Sequence, residues 1–403
     1  DKHNFDLMGG YEWQHFYRDG ENEYRGLRII DSNADRVIDE NDDYYNHITP
    51  NESRWATESY LVSFFGRLNY SFDGKYLLTT TLRDDGSSRF AAGNRWALFP
   101  SAALAWKINE ENFLKEKGTF SELKLRLGYG VTGQQEINQG DYPFLPVYTI
   151  GKETAMYQFD TTYYYTARPD AYNKKIKWES TTTWNAGLDV GILNNRISGS
   201  LDYYFRKTTN LINVVSVPAL SNFRNKVISN VGSLQNNGIE FTFNAKPIAN
   251  KNCTWDMSFN VTRNLNKITK LTTGSQEGYY IPLGGIFQGN VQAAAVGHPN
   301  NSYYVFKQKY DVNGKPIESG ATKPDGNGNY TDLDAFVDMN NDTIINEKDK
   351  YFYKSANPEY TFGFSTKVIY KNFDFGINLH ANVGNYVYNA VAAERLNVGV
   401  TGI

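Results

Sequence analysis

Two acidic segments of this 403-residue chain carry oxygen-bearing side chains at the spacing of a calcium-binding loop. In EF-hand loops, hard oxygen ligands at positions 1, 3, 5, 7, 9 and 12 converge on one Ca²⁺ ion. In segment 338–349 these positions are Asp338, Asn340, Asp342, the Ile344 carbonyl, Asn346 and Asp349. In segment 31–42 they are Asp31, Asn33, Asp35, the Val37 carbonyl, Asp39 and Asp42. Each segment is predicted to hold a structural calcium ion.

Both segments also depart from the EF-hand pattern. Position 6 is Thr343 or Arg36 where EF-hands have glycine, and position 12 is Asp where they have Glu. A non-glycine residue in a left-handed turn costs about 1–2 kcal/mol. The alternative interpretation is a turn rich in Asp and Asn that binds no metal, and both interpretations stay open from the sequence.

Clustered tyrosines form a second candidate site, for contact with a substrate or a protein partner. Tyrosine offers a flat apolar face and a polar hydroxyl, which suits stacking on sugars or docking of a partner. The alternative is that these rings only pack within their own loops. The candidates are Tyr163, Tyr164, Tyr165, Tyr279, Tyr280, Tyr303 and Tyr304.

No residue pattern in the sequence indicates catalysis. The five histidines are scattered and form no HExxH motif, so a catalytic zinc ion is not expected. Glycosidases need two carboxylates about 5–9.5 Å apart, and nothing in the sequence selects such a pair. His380 alternates with Phe375, Ile377 and Leu379, which places it on the polar face of a strand as a weaker candidate for substrate contact. The protein is expected not to be an enzyme.

The elements that position these sites are predicted to be long β-strands. Eleven stretches of the chain alternate between apolar and polar residues for nine or more positions. The clearest runs from Trp184 to Ile192 and resumes from Ile197 after Asn194-Asn195. A period of two puts the two sets on opposite faces of a strand. Ordinary strands have about 5–6 residues, whereas a strand tilted across a bilayer needs about 9–11. The pattern predicts an all-β fold, an antiparallel transmembrane β-barrel with about eleven strands in this chain.

The alternation also predicts which residues face lipid and which face the barrel lumen. Lipid-facing residues are Leu125, Leu188, Leu201 and Phe375, and lumen-facing residues are Arg126, Asp189, Asp202 and Asp374. A mean hydropathy of −0.56 and a 15% aromatic content agree with a polar lumen and aromatic girdles. No run of 18 apolar residues exists, so a membrane-spanning helix is excluded. The net charge of −3 argues against a nucleic-acid partner.

Connections of two classes alternate along the chain. Tight turns are predicted at Asp73-Gly74, Asn194-Asn195 and Lys371-Asn372, because Asp, Asn and Gly tolerate positive φ. Long connections are expected at about 19–56, 134–177, 212–235 and 267–358. Short periplasmic turns and long extracellular loops are typical of outer-membrane barrels. The alternative, a large soluble β-sandwich, has turns about every 8–12 residues and does not segregate its loops in this way.

Several long blocks then become recognisable, among them YLLTTTLRDDGSSRF at 76–90 and GYGVTGQQ at 128–135. Further blocks lie at 95–107, 178–212, 230–245 and 357–386. In this order they resemble TonB-linked outer-membrane receptors of the SusC/RagA type. The resemblance implies a 22-stranded barrel with an N-terminal plug domain, in the bacterial outer membrane. Residues 1–403 are then expected to be part of the barrel domain, without the plug and without the barrel's first and last strands.

The resemblance also implies a function and partners. It implies import of glycans or peptides through the outer membrane, with a SusD-like lipoprotein as a lid. The energy would come from the TonB–ExbB–ExbD complex, which acts through a missing N-terminal region. The alternative hypothesis is a calcium-dependent surface binding or adhesion protein that transports nothing. A plug domain upstream in the full-length gene would favour transport.

Overall fold

The computed structural model describes residues 2–30, 43–116, 118–137, 141–151, 156–218, 222–272, 277–286, 289–315, 317 and 335–389. For residues 21–30, 43–54, 216, 286 and 289, only the backbone is described. Within these ranges, no helix is long and apolar enough to cross a membrane.

The described residues form nineteen β-strands and one short α-helix. The strands are β1 His3–Ile30, β2 Asp43–Phe72, β3 Tyr76–Ser87, β4 Trp96–Lys107, β5 Phe120–Gln134, β6 Tyr148–Ile150, β7 Met156–Phe159, β8 Thr162–Tyr165, β9 Ala167–Pro169, β10 Glu179–Ile192, β11 Ile197–Ser216, β12 Lys226–Ala249, β13 Cys253–Lys270, β14 Tyr280–Ile286, β15 Gly289–Ala295, β16 Ser302–Phe306, β17 Lys350–Ser355, β18 Tyr360–Tyr370 and β19 Phe373–Val383. Helix α1 is Asn112–Lys115, and 3-10 turns lie at Ala92–Asn94, Ile108–Glu110 and Glu347–Asp349.

Eleven strands form one main sheet, in which each strand pairs antiparallel with its neighbours along the sheet. Its order is β1-β2-β3-β4-β5-β10-β11-β12-β13-β18-β19. The shortest members have 11 residues and the longest has 30, so every one is long enough to cross a bilayer. This confirms the predicted all-β, antiparallel fold with eleven long strands.

The register places residues of like polarity on one face across neighbouring strands. Leu188 of β10 stands opposite Leu125 of β5 and Leu201 of β11, as the alternation predicts. On the other face, Gly187 stands between Arg126 and Asp202. A Cβ atom at Gly187 would lie 2.3 Å from an Asp202 carboxylate oxygen, so glycine leaves the space that this ion pair occupies.

Charged residues on the polar face form a ladder across three strands. Arg126 donates from Nε and Nη2 to both oxygens of Asp189, at 2.9 and 2.7 Å. Its Nη1 lies 2.9 Å from Asp202 Oδ1, and Lys124 Nζ lies 2.8 Å from Asp189 Oδ2. Each of these four side chains has an oppositely charged partner, so their charges on this face are neutralised in ion pairs.

The opposite face exposes large apolar side chains along the whole sheet. Leu7 is 81% exposed, Leu201 51% and Phe375 63%. A contiguous apolar surface of this extent indicates contact with something other than water. Together with strands of membrane-crossing length, it is what a lipid-facing barrel wall requires.

Tight turns close one end of the sheet where the sequence predicts them. Asp73 and Gly74 have φ values of 54° and 67°, and Asn194 and Asn195 have 56° and 59°. Lys371 also has a positive φ of 53°. These left-handed residues give the tight connection that joins antiparallel strands.

The expected connection 212–235 is wrong over most of its length. Strand β11 continues to Ser216 and β12 begins at Lys226, so only residues 217–225 join them. A register shift lies between Thr209 and Leu211, and the intervening Asn210 has a φ of 58°. Such a bulge shifts the alternation by one residue, which hides the strand from a search for strict alternation.

The expected connection 19–56 is corrected in the same way. Strand β1 continues to Ile30, and β2 begins at Asp43. Their pairing shifts register between Asn22 and Tyr24. The bulge again interrupts the sequence pattern while the backbone pairing continues beyond it.

The other two long connections carry small sheets of their own. Between β5 and β10, strand β6 pairs with β9 and β7 with β8. Between β13 and β18, the strands β14 to β17 form a four-stranded sheet. The largest buried cluster lies at the base of the first connection, at the end of the main sheet away from the tight turns, and consists of Leu61, Phe90, Phe99, Ile137, Ile176 and Trp178.

Candidate functional site

The acidic segment 338–349 forms a loop directly before β17. Asp338, Asp342 and Asp349 each place one carboxylate oxygen within 4.8 Å of the others. Asp349 is fully buried, whereas Asp342 is exposed. Three formal negative charges at this spacing repel one another unless a cation or hydrogen-bond donors offset them.

Asp349 fixes the loop from within. Its Oδ1 accepts a hydrogen bond from the Met339 N–H at 2.9 Å, and its Oδ2 accepts one from the Asn346 N–H at 2.8 Å. The Asn346 side chain accepts from the Lys348 N–H at 2.9 Å, so the two side chains cap the 3-10 turn together. Each carboxylate oxygen keeps a second lone pair, which these bonds leave for a cation.

Asp338 receives backbone donors from the middle of the loop. Its Oδ2 accepts from the Thr343 N–H at 2.8 Å, and its Oδ1 from the Asp342 N–H at 3.3 Å. Desolvation raises the pKa of Asp338, but the backbone donors together outweigh it and hold that pKa below its usual value. The carboxylate is therefore ionised at neutral pH, as a calcium ligand must be.

The turn in the loop has the conformation that EF-hands give to glycine. Thr343, at position 6, has a φ of 66°, and Asn341 has a φ of 59°. The absence of glycine therefore does not prevent the turn, although it adds strain. Asn340 donates from Nδ2 to Asp342 Oδ2 at 2.8 Å, so its side chain lies among the acidic groups. The first predicted calcium segment, 31–42, lies outside the described residues.

The candidate tyrosines fall into two groups. Tyr163, Tyr164 and Tyr165 lie on β8 with 58%, 55% and 55% of their surfaces exposed. The others pack inside the connection between β13 and β18. Tyr303 is only 8% exposed, the rings of Tyr280 and Tyr304 lie 4.7 Å apart, and Tyr279 packs beside the cluster of Ile268, Leu271 and Ala294. The first group is thus exposed, and contact with a substrate or partner stays a prediction for every candidate.

His380 lies on β19, opposite Gly363 of β18, on the polar face and exposed. Asp374 shares that face, and its carboxylate lies 3.8 Å from Lys367 Nζ. The structure does not bring His380 together with the acidic loop or with β8 into one site. Its predicted position on the polar face agrees with the register.

A buried arginine that the sequence did not single out anchors the connection between β5 and β10. The Arg89 side chain is 2% exposed, and its Nη1 donates to Glu136 at 2.7 Å. Its Nη2 lies 3.1 Å from Asp141, and its Nε donates to Ser59 at 3.4 Å. These contacts join the middle of β2, the start of the β3–β4 connection and the start of the long connection. A lone arginine in a sequence gives no signal of such pairing.

A second set of contacts fixes the other end of that connection. Asn230 accepts from the Lys177 N–H at 2.9 Å and donates to the Lys177 carbonyl at 2.7 Å. Trp178 Nε1 donates to the Arg95 carbonyl at 2.9 Å, and Arg224 forms an ion pair with Asp170. The segment 148–169, which we call the tyrosine arm, is therefore held at both of its ends.

A family model described as "TonB dependent receptor-like, beta-barrel" matches residues 1–399, nearly the whole chain. The chain belongs to the TonB-dependent receptor β-barrel family. This membership places it in the outer membrane, with the apolar face of the main sheet toward lipid and the polar face toward the lumen. We call the end of the sheet that carries the tyrosine arm the mouth; it lies opposite the tight turns.

Two curated relatives define the family type. TonB-dependent receptor SusC of Bacteroides thetaiotaomicron is 48% identical over 99% of this chain. TonB-dependent receptor P3 of Formosa agariphila is 32% identical over 97% of it. The chain spans 38% of the length of each of these two relatives, so each comparison covers only a part of the relative.

Solved structures agree with this assignment. A structure of the RagAB peptide transporter matches 96% of the chain with a TM-score of 0.72 and 25% identity, and the match covers 40% of that chain. The outer-membrane transporter YddB of Escherichia coli matches with a TM-score of 0.51 at 10% identity, which shows the fold alone. The receptor is therefore of the SusC/RagA type, as the sequence blocks indicate.

The Arg89 anchor leads to a prediction about the tyrosine arm. Arg89→Ala in the complete receptor removes the cation between Glu136 and the mostly buried Asp141. Breaking a buried pair from one side costs about 3 kcal/mol or more. Hydrogen exchange should show that the free energy of local unfolding in residues 141–151 falls by about 3 kcal/mol.

Arg18→Ala is the matched control, because Arg18 lies 3.7 Å from the same Glu136 but is half-exposed. Its effect should stay within about 0.5 kcal/mol. Equal exchange rates in Arg89→Ala and the wild-type receptor would show that Arg89 does not anchor the arm.

Proposed function

We propose that the complete protein imports oligomeric nutrients, either glycans or peptides, across the outer membrane. The observation that carries the proposal is membership in the TonB-dependent receptor family at 48% identity to SusC. The polar face supports it, since a transport lumen must offer water and satisfied charges along the strands. Molecules of oligomer size need such a dedicated pathway.

Energy and capture come from partners in this proposal. The TonB–ExbB–ExbD complex drives import through a region of the complete protein outside this chain. A SusD-like lipoprotein closes the mouth and contacts the long extracellular connections. The tyrosine arm supports this part of the proposal, because its exposed rings on β8 lie at the mouth. Large rigid aromatic side chains are common anchors of protein interfaces.

The proposal treats the protein as a transporter with no catalytic step. The alternative, calcium-dependent adhesion without transport, would also use the acidic loop. The adhesion hypothesis gives no role to the charged residues on the polar face, where Arg126 forms ion pairs with Asp189 and Asp202. We therefore favour transport.

Growth on oligomers tests the proposed function. Deleting the gene should abolish growth on at least one oligosaccharide or oligopeptide of a panel, because oligomers do not pass through small passive pores. Growth on the matching monomer should be unchanged, and deleting the lid lipoprotein gene should impair growth on the same oligomer. A strain that grows normally on every oligomer but loses surface attachment would instead be explained by adhesion.

We further propose that the loop 338–349 binds one calcium ion with a structural role. Asp338, Asp342 and Asp349 supply charged oxygens, and Asn340, Asn346 and the Ile344 carbonyl complete the predicted set. The clustered carboxylates and the left-handed turn at Thr343 support the proposal. Calcium would hold the connection between β13 and β18 in place at the mouth. The same role is proposed for the segment 31–42.

Calorimetry on the complete receptor tests the calcium proposal. The wild type should bind calcium in the range of extracellular modules, about 10⁻⁴–10⁻³ M. The double variant Asp338→Ala/Asp342→Ala should lose one binding event. Magnesium should substitute poorly, because it demands a smaller octahedral site.

Asp311→Ala is the matched control for this experiment. Asp311 lies in the same connection and accepts backbone hydrogen bonds from Asn313 and Lys315, both at 2.8 Å. Its loss should leave calcium binding unchanged. A wild-type receptor that takes up no calcium at millimolar concentration would identify both segments as ordinary acidic turns.

A further inference from the structure

Charge is divided unequally between the two faces of β11, β12 and β13. The three acidic residues of these strands all alternate onto the polar face; they are Asp202, Glu240 and Asp256. Over the regularly paired part of the three strands, the charged residues on the lipid-facing side are all basic, namely Lys207, Arg263 and Lys267. The lipid-facing surface of this part of the wall is therefore positive.

Two of these cations stand in one row across the strands. Gln235 of β12 lies opposite Lys207 of β11 on one side and opposite Lys267 of β13 on the other. Neighbouring strands lie about 4.8 Å apart, so the Cα atoms of the two lysines are about 10 Å apart. Flexible lysine side chains can close such a gap around one anion, and Gln235 between them offers an amide donor. We call these three residues the cationic row.

The cationic row lies at the mouth-side edge of the apolar wall. On β11 the lipid-facing positions from Ile197, beside the tight turn, to Phe205 are uncharged. This stretch has the length of the shortest strand that crosses a bilayer, about 9 residues. Lys207 is the next lipid-facing residue toward the mouth, and Leu265, 40% exposed, stands below Lys267 in the same way. Because the tight turns of outer-membrane barrels are periplasmic, the row lies at the head-group level of the outer leaflet.

The two lysines of the row lack the acidic partner that a lysine of the polar face has. On that face, Lys124 Nζ lies 2.8 Å from an Asp189 carboxylate oxygen. Within the described part of the chain, Lys207 and Lys267 form no ion pair, and both are exposed. Their charges are therefore available to an anion from outside the chain.

Two other ionisable groups near the row do not offset its charge. Arg263 lies nearer the tight turns than Lys267, and its own charge is engaged, since its Nη2 lies 2.6 Å from Glu359 Oε1. Its guanidinium carbon also stands 5.4 Å from the ring centroid of Tyr360. Burial lowers the pKa of His298, with a smaller effect from the Lys267 charge, so His298 is neutral at pH 7. Neither group supplies a negative charge to the cationic row.

We infer that the cationic row binds the phosphate group of an outer-leaflet lipid. Lys207 and Lys267 donate to the phosphate oxygens from two sides, and Gln235 donates between them. The acyl chains of the lipid lie against Phe205, Leu265 and the apolar wall below. Charge complementarity selects an anionic head group, and continuity with the lipid-facing wall selects a lipid over a soluble anion. The inference concerns the outside of the barrel, so it goes beyond the proposed import through the lumen.

Native mass spectrometry of the complete receptor in a neutral detergent tests the inference. The probe is monophosphoryl lipid A, an outer-leaflet lipid with one phosphate group, and the wild type should bind it. The double variant Lys207→Gln/Lys267→Gln should raise its Kd about 25-fold, because each lysine near an anionic lipid contributes about fivefold in affinity. Lys207→Arg/Lys267→Arg keeps both charges and should retain most of the affinity. Lipid A without its phosphate should bind the wild type as weakly as lipid A binds the double variant.

Arg206→Gln is the matched control, because Arg206 is the neighbour of Lys207 on β11 but lies on the polar face, 6.0 Å from the ring centroid of Tyr204. It removes one positive charge from the same strand and should leave the Kd unchanged. Equal binding of lipid A to the wild type and to the glutamine double variant would overturn the inference. So would equal binding of phosphate-free lipid A, since the lysines would then only extend toward water, or displacement of lipid A by an excess of inorganic phosphate. Each of these results would leave the import function standing.

Discussion

The period of two along paired strands is the constraint on which the rest of this structure depends. Inside a bilayer every backbone N–H and C=O must be paired within the protein. Among the described residues, the main sheet pairs the strands from β2 to β18 on both sides, and its edge strands β1 and β19 on one side. Once the backbone is paired, the alternation along each strand decides whether a side chain faces the lipid or the lumen. A shift of one residue would move Leu201 to the lumen and Asp202 into lipid, so the register is strongly specified.

The mouth depends on the sheet in a different way, because its long connections need anchors that the strand pattern does not supply. Arg89 and Asn230 provide them from strand ends and turns, and both bind segments distant in sequence. The connection between β13 and β18 builds its own four-stranded sheet. The long connections thereby lie at one end of a regular wall, where loops can vary while the barrel stays the same.

The sequence predicts the wall better than the mouth, for physical reasons. Strands such as β10 and β11 are visible because alternation is a local property, and turns such as Asn194-Asn195 are visible because few residues adopt positive φ. The bulge at Asn210 reverses the alternation and so concealed the continuation of β11. The Arg89 ion pairs join residues far apart in the chain, and no spacing reveals them. The acidic loop lies between these cases, since the spacing of its Asp and Asn residues is local, whereas the turn that clusters its three carboxylates is set by the fold.

Accessibility of β11 in a lipid bilayer tests the central claim most directly. Nitroxide labels are placed one at a time at positions 197–206 of the complete receptor, with Cys253 and any other cysteine replaced by serine. Collisions with oxygen, which concentrates in lipid, should be frequent at the odd positions, including 201 and 203. Collisions with a polar nickel complex should be frequent at the even positions, including 200 and 202. Equal accessibility at odd and even positions would contradict the assignment of the two faces to lipid and lumen.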